Sequence, residues 1–405
     1  MIVRLGRVRS KGHNSPMESA TLQQAKRAMA AADFPQAESV LEHLVVGDPE
    51  NIPAWLNLAA VKRQLERFEQ AFDALRAVLR LDSRNFPALL MQASLLERLD
   101  RQTEAAEAYG IALAQAPLET SLDPVTLKAL THAREVNARH LTSMREFVRA
   151  QVAEVRADCG QAARRRLDAF IDTSLRLRRR YAQEPSDYWY PGLPVIEFYQ
   201  RDEFPWIGEF EAATAAIQRE LAEVLRADLE SFNPYVHYPD HAPLDQWREL
   251  NHSPRWTSYN LYERGKPNVD RCQRAPLTAQ AIAALPQPII PGRSPCAMFS
   301  LLRPHTRIPA HSGVANFRLV VHLPLILPDD CGFRVGGEVR EWQMGEAWVF
   351  DDTIEHEAWN DSDESRIICI CDIWSPRLTE DERLAIACVV VASDEYRGVA
   401  PGQQI

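Results

Sequence analysis

The chain has 405 residues, 46% hydrophobic and 25% charged, which leaves room for two or three domains with a sizeable core. Its net charge of −10 argues against non-specific nucleic-acid binding, and no apolar run approaches the roughly 18 to 20 residues that cross a bilayer, so no membrane segment is expected. Residues 1–15 carry basic groups but no apolar core and do not read as a secretory signal.

In chain order, residues 1–17 are basic, polar and without periodicity, and are expected to be loose. Residues 18–117 are repetitive. Ala20, Ala54 and Ala88 are spaced by 34, as are Ala37, Ala71 and Ala105; Pro53 recurs as Pro87, Asp48 as Asp82 and Leu41 as Leu75. Small residues at a fixed 34-residue period are the signature of tetratricopeptide repeats, helix pairs that stack into a solenoid. About three repeats are expected, with a concave face suited to a peptide or protein segment. Residues 118–187 read as a helical extension or linker, with long helices over 124–155 and 160–183. The basic runs Arg164–Arg166 and Arg178–Arg180 read as solvated helix faces.

From about residue 188 the pattern changes. A helix is expected over 207–229, with Ile217, Leu221 and Leu225 on its apolar side. Strand-like runs follow at 256–262, 297–302, 317–327, 333–335, 339–342, 346–350 and 366–374, with Gly336-Gly337 as a hairpin turn. Thr379 and Glu382 have capping-box spacing and open a last helix to about Ala392. The expected architecture is therefore α + β and multidomain: a helical repeat solenoid, then a double-sheet jelly roll of cupin type over 188–405. Seven cysteines at irregular spacing suggest no disulfide framework, and Cys369 and Cys371 read as core side chains. A reducing, cytoplasmic setting is expected; nothing in the sequence indicates an oligomeric state.

The chemistry is concentrated between Ser300 and Trp374. His311-Ser312-Gly313 and Glu355-His356-Glu357 place two histidines 45 residues apart, each beside a strand-like run, and Arg366 follows ten residues after the second. Neutral imidazoles suit a non-haem iron, and an arginine on the next strand suits the distal carboxylate of an acidic cosubstrate. Phe299-Ser300, Pro304, His311–Gly313, Asn316–Arg318, His322-Leu323, Phe350–Asp352, Glu355–Trp359 and Arg366 together resemble the aspartyl/asparaginyl β-hydroxylase family of iron(II)- and 2-oxoglutarate-dependent oxygenases. Tyr190–Pro194, Phe204–Trp206 and Trp256–Tyr262 extend the resemblance to roughly residues 188–385.

The resemblance implies His311 and His356 as the iron ligands, with Gly313 where related oxygenases carry a ligating carboxylate. It implies Asp352 as an outer acceptor for a metal-bound water, and Ser300, His322 and Arg366 as the 2-oxoglutarate site. It places Arg318 toward the substrate; the animal pattern has a second arginine two positions on, where this chain has Val320. The implied reaction consumes O2 and 2-oxoglutarate, yields succinate and carbon dioxide, and hydroxylates an unactivated C–H, such as the β-carbon of an Asp- or Asn-like residue in a peptide or protein held by the repeats. Hydroxylation or halogenation of a small molecule or lipid, with the repeats used for assembly, is an alternative. So is a non-catalytic repeat protein.

Overall fold

The structure is a computed structural model that describes residues 16–239 and 241–398. Residues 1–15 of the segment expected to be loose lie outside the described residues, and Pro16 already opens the first helix. The chain divides into two compact units, residues 1–177 and 178–405.

The first unit begins with three helix pairs: α1 (Pro16–Ala30) with α2 (Phe34–Gly47), α3 (Ile52–Gln64) with α4 (Phe68–Leu81), and α5 (Phe86–Arg98) with α6 (Gln102–Leu113). The 34-residue period recurs in caps, turns and small-residue contacts. Asn51 and Asn85 cap α3 and α5 by accepting from the backbone N–H of Ala54 and Ala88 at 3.0 and 3.2 Å. Each is itself braced by the aspartate three residues earlier, Asp48 or Asp82. The turn inside each pair carries one residue in the left-handed region, Ala32, Glu66 and Asp100, at φ 58°, 57° and 58°. Ala37, Ala54, Ala71, Ala88 and Ala105 are fully buried, so neighbouring helices approach closely there. These repeated caps, turns and small-residue contacts make the array a tetratricopeptide-type solenoid. Ala20, first of its series, is exposed.

The long helices that follow are shorter than expected. Asp123 caps α7 (Pro124–Gln151), which gives way to α8 (Ala153–Asp158) and α9 (Gln161–Ser174). The helix expected to reach 183 stops at Ser174 because Arg176 turns left-handed, at φ 58°. The second unit begins ten residues before the expected boundary at 188. Tyr181 packs among its barrel aromatics, and Gln183 donates to the Asp351 carboxylate at 2.6 Å.

The second unit contains α10 (Ile207–Ala212), α11 (Thr214–Ala227), α12 (Val269–Arg274), α13 (Pro276–Ala283) and α14 (Glu380–Arg397). Its strands are β1 (Asn233–Pro234), β2 (Trp256–Glu263), β3 (Lys266–Pro267), β4 (Ala297–Leu302), β5 (Thr306–His311), β6 (Arg318–Ile326), β7 (Cys331–Val335), β8 (Glu338–Arg340), β9 (Trp348–Phe350), β10 (His356–Asn360) and β11 (Arg366–Trp374). The single helix expected over 207–229 breaks at Ala213, and both pieces put apolar residues into one core: Ile207 and Phe210, then Ile217, Leu221 and Val224. The last helix runs past Ala392 to Arg397, with the expected Thr379–Glu382 capping box at its start and Gly398 at φ 63° at its end.

All strand pairs are antiparallel. The larger sheet has the order β1-β2-β4-β11-β6-β9, with β3 on β2; the smaller is β5-β10-β7-β8. The two enclose a core that draws on both, including Leu302, Val320 and Ile368 from one and Ile308, Phe333 and Ala358 from the other. The far face of the larger sheet packs under α10, α11 and α13. The central strands therefore read as continuous apolar runs buried on both sides. The period of two sorts each of them between the cores. On β11, Ile367, Cys369, Cys371 and Ile373 join the helix-covered core. Arg366, Ile368, Ile370 and Asp372 line the cavity between the sheets.

Candidate functional site

The space between the sheets is a cavity of about 1070 Å³ lined by residues of the second unit. All seven site residues expected from the sequence line it: Ser300, His311, Arg318, His322, Asp352, His356 and Arg366.

His311 ends β5 and His356 opens β10, and the two are direct cross-strand partners with ring centroids 4.1 Å apart. Each Nδ1 lies against a backbone carbonyl two residues earlier, Pro309 at 2.8 Å and Ile354 at 3.1 Å. A carbonyl only accepts, so each Nδ1 carries the proton and each Nε2 keeps a free lone pair. Burial pushes both rings down, His311 to about 3 and His356 to about 4, so they are neutral at pH 7. Two neutral imidazoles with oriented lone pairs fit a divalent transition metal. Among the described residues no group of three or more His, Cys, Asp or Glu is placed to hold a metal.

Gly313 leaves room that a side chain would fill. A Cβ built there would run into the Asp352 carboxylate, which occupies that space. The Gly313 N–H donates to the Asp352 carbonyl at 2.6 Å, tying the loop after β5 to the loop before β10. Asp352 is buried; its Oδ2 accepts from Arg318 Nη2 at 2.9 Å, and its Oδ1 has no partner among the described residues. Burial raises its pKa against the pull of Arg318. Burial also works against the charge of Arg318, but Asp352 and Asp372 hold its pKa above the ordinary arginine value.

At the other end of β11, Arg366 is 1% exposed, and its Nε and Nη1 have no hydrogen-bond partner among the described residues. Burial lowers it to about 10, which leaves it a cation at pH 7. Its guanidinium lies 4.9 Å from the Trp342 ring centre. His322 Nδ1 and Trp342 Nε1 are orphaned in the same region, and the two rings are 6.2 Å apart. Ser300 Oγ accepts from Trp256 Nε1 at 3.1 Å, which leaves its own proton free to donate. A buried cation with orphaned polar neighbours and a free hydroxyl fits the carboxylate of an acidic ligand.

Several residues near the site carry no motif in the sequence. Trp342, expected at the end of a strand over 339–342, lies just beyond β8. Trp247 sits in the loop between β1 and β2, its ring edge-on to His311 at 5.0 Å. Asp372 could have been found, since it shares the parity of Arg366 on β11.

The sequence profile of the aspartyl/asparaginyl beta-hydroxylase family matches residues 211–376. The human protein named Aspartyl/asparaginyl beta-hydroxylase is 31% identical over 147 residues, 36% of this chain and 19% of that protein. The Ornithine lipid ester-linked acyl 2-hydroxylase of Rhizobium tropici is 33% identical over 190 residues, 46% of this chain and 62% of that protein. Human Aspartate beta-hydroxylase domain-containing protein 2 is 27% identical over 213 residues, covering 50% and 54%. This chain thus spans between about a fifth and three-fifths of the length of these relatives. Profile and relatives agree on the strand unit: residues 211–376 resemble the aspartyl/asparaginyl β-hydroxylase family, on the C-terminal side of the tetratricopeptide repeats.

Proposed function

We propose that this chain is an iron(II)- and 2-oxoglutarate-dependent oxygenase that hydroxylates an unactivated C–H bond. The observation that carries this is Arg366: a buried guanidinium whose Nε and Nη1 have no hydrogen-bond partner among the described residues, in the same cavity as two neutral histidines. An unpaired buried charge is costly, so the site calls for an anionic ligand.

In this reading His311 and His356 hold the metal through Nε2, with Pro309 and Ile354 fixing their orientation. Arg366 binds the distal carboxylate of 2-oxoglutarate as a permanently charged fork, and Ser300 Oγ donates to the same carboxylate. His322 lies toward the cosubstrate's proximal end. When bound, iron with 2-oxoglutarate and O2 supplies the oxidising power for C–H hydroxylation. The chain orients the cosubstrate and walls the cavity with Phe333, Phe350 and Ile368, which excludes water. Asp352 Oδ1, without a partner, is placed to accept from a metal-bound water beside Gly313. The same carboxylate disfavours a halide at that position, which supports hydroxylation over halogenation.

For the substrate, the family name points to an Asp- or Asn-like residue, with the repeats recruiting a peptide. A second reading is favoured by the Arg318–Asp352 pair, which occupies the cation that a substrate carboxylate would need. It is hydroxylation of an acyl or similar chain, as the Rhizobium relative's name describes.

The test is metal and cosubstrate binding. His311→Ala and His356→Ala should each abolish stoichiometric iron(II) binding and succinate formation, because a two-histidine site has no spare ligand. Either variant retaining iron and full turnover would overturn the assignment. Product mass, gaining one oxygen atom or one chlorine, separates hydroxylation from halogenation.

A further inference from the structure

The loops that carry His311 and His356 are held together by a third piece of chain. Residues 183–190 precede α10, the first α-helix of the second unit, and lie outside residues 211–376, which match the family profile. This strap grips both loops through its backbone. At its start, Gln183 pairs antiparallel with Ile354, and the Glu184 N–H donates to the Thr353 carbonyl at 2.8 Å. Further on, the N–H groups of Ser186 and Tyr188 donate to the carbonyls of Gly313 and Val314 at 3.0 and 2.9 Å. Thr353 and Ile354 lead into His356 at the start of β10, and Gly313 and Val314 follow His311 at the end of β5. Each loop is therefore tied close to its histidine.

The side chain of Gln183 joins the two loops again. A primary amide has an acceptor oxygen and a donor nitrogen, and Gln183 uses each on a different loop. Its Nε2 donates to Asp351 Oδ2 at 2.6 Å, and its Oε1 accepts from Asn316 Nδ2 at 3.0 Å. Asp351 and Asn316 are both buried. Asp351 turns its other oxygen to its own loop, where Oδ1 accepts from the Thr353 N–H and Oγ1 at 3.0 and 2.5 Å. The Asp351 carboxylate thus braces the backbone from which the Ile354 carbonyl reaches His356 Nδ1 and from which Asp352 projects toward Gly313. Removing the Gln183 amide takes a donor from a buried carboxylate oxygen, a loss the loop relieves only by moving.

We propose that Gln183 is a positioning residue for the metal site, acting through Asp351 and Asn316 to set the direction of the His356 lone pair and the spacing of the two histidine loops. The proposal rests on the reading of His311 and His356 as metal ligands. It adds a residue outside the profile match to the machinery of the site.

The test uses the full chain and Co(II), whose visible absorption reports both affinity and ligand geometry. Gln183→Glu keeps the size of the side chain and its acceptor for Asn316 but sets a carboxylate against Asp351. It should weaken Co(II) binding by about 10- to 100-fold and change the absorption band. Adding Asp351→Asn exchanges donor and acceptor, because the new amide donates to the new carboxylate and still accepts from Thr353. The double variant should recover Co(II) affinity to within about 3-fold of the natural chain, together with its band, a rescue that a general packing role would not give. Gln183→Leu removes both hydrogen bonds without adding charge; it stands in if Gln183→Glu does not fold, and should weaken Co(II) binding at least about 10-fold. A folded Gln183→Glu or Gln183→Leu chain with natural affinity and band, or a double variant no better than Gln183→Glu alone, would overturn the proposal. Failure of the natural chain to bind Co(II), or undiminished binding by His311→Ala, would remove the metal reading and this proposal with it.

Discussion

Arg366 is the residue whose replacement separates binding from stability. It is charged, 1% exposed and without a hydrogen-bond partner for its Nε and Nη1 among the described residues. Arg366→Met should therefore raise the stability of the ligand-free protein, by about 1–4 kcal/mol, because a well-packed apolar side chain replaces a desolvated charge. The same change should weaken 2-oxoglutarate binding by about 3–5 kcal/mol, since the ligand's carboxylate is then the charge left buried alone. Thermal unfolding and calorimetry read the two effects separately; a destabilised variant with unchanged 2-oxoglutarate affinity would contradict both. The histidines give a pH prediction. His311, His356 and His322 are all held below the ordinary value of 6.5, chiefly by burial, the first two at about 3 and about 4. As pH falls below 6.5 the unfolded chain takes up protons that the folded chain refuses, so the contribution of these histidines to stability drops progressively down to about pH 3 and is level above 6.5. Melting temperature of the metal-free protein against pH should show this slope. His322→Phe should flatten part of it, and an unchanged slope would mean that His322 does not contribute.

The strand pair β5–β10 is the element that brings the two histidines together, and an irregularity makes this possible. Thr306 and Ile308 face the core opposite Asn360 and Ala358, but His311 rather than Ala310 pairs with His356. One extra residue on β5 between Ile308 and His311 reverses the strand's parity and brings His311 to the side of His356. The loop after it is packed as tightly: Gly313 leaves room for the Asp352 carboxylate that any Cβ would meet. Gly313→Ala should force Asp352 away from Arg318 and cost about 1–3 kcal/mol, in the range of other overpacked sites. It should also impair metal binding, because the two loops that carry the histidines are joined through the Gly313 N–H. Denaturation midpoint and metal stoichiometry check it; a variant as stable as the natural chain would show that the loop can yield.

For the whole molecule, the division between residues 177 and 178 sets where the chain can be cut. A cut at 183 would remove Tyr181 from its aromatic neighbours and Arg178 from its ion pair with Glu197. A chain starting at Arg178 should keep its fold, its metal and its 2-oxoglutarate turnover. If the repeats recruit a macromolecular substrate, kcat/KM for that substrate should fall in the truncated chain while uncoupled turnover persists, because remote binding energy orients the target bond. Equal kcat/KM with and without residues 1–177 would assign the repeats to assembly. Among the described residues no helix is long and apolar enough to cross a membrane.

The repeats were legible at the level of single residues because each helix pair is a local structure. The 34-residue spacing of alanines, prolines and aspartates translates directly into caps and close contacts within neighbouring helices. The bounds of β4 and β11 were legible for a similar reason: continuous apolar runs end where charge or turn residues begin. Helix lengths were less so. The stop at Ser174 and the break at Ala213 follow from one left-handed residue and from the need to bury two apolar faces on one sheet. The identity of the site residues was readable as motifs, but their relations were not. The parity reversal that turns His311 inward, the closure of Arg318 onto Asp352 from 34 residues away, and the lack of a hydrogen-bond partner for Arg366 Nε and Nη1 among the described residues all depend on which strands lie side by side. Sequence spacing specifies what one strand can present to a core. Only the pairing of distant strands decides which charges are answered there and which are left for a ligand.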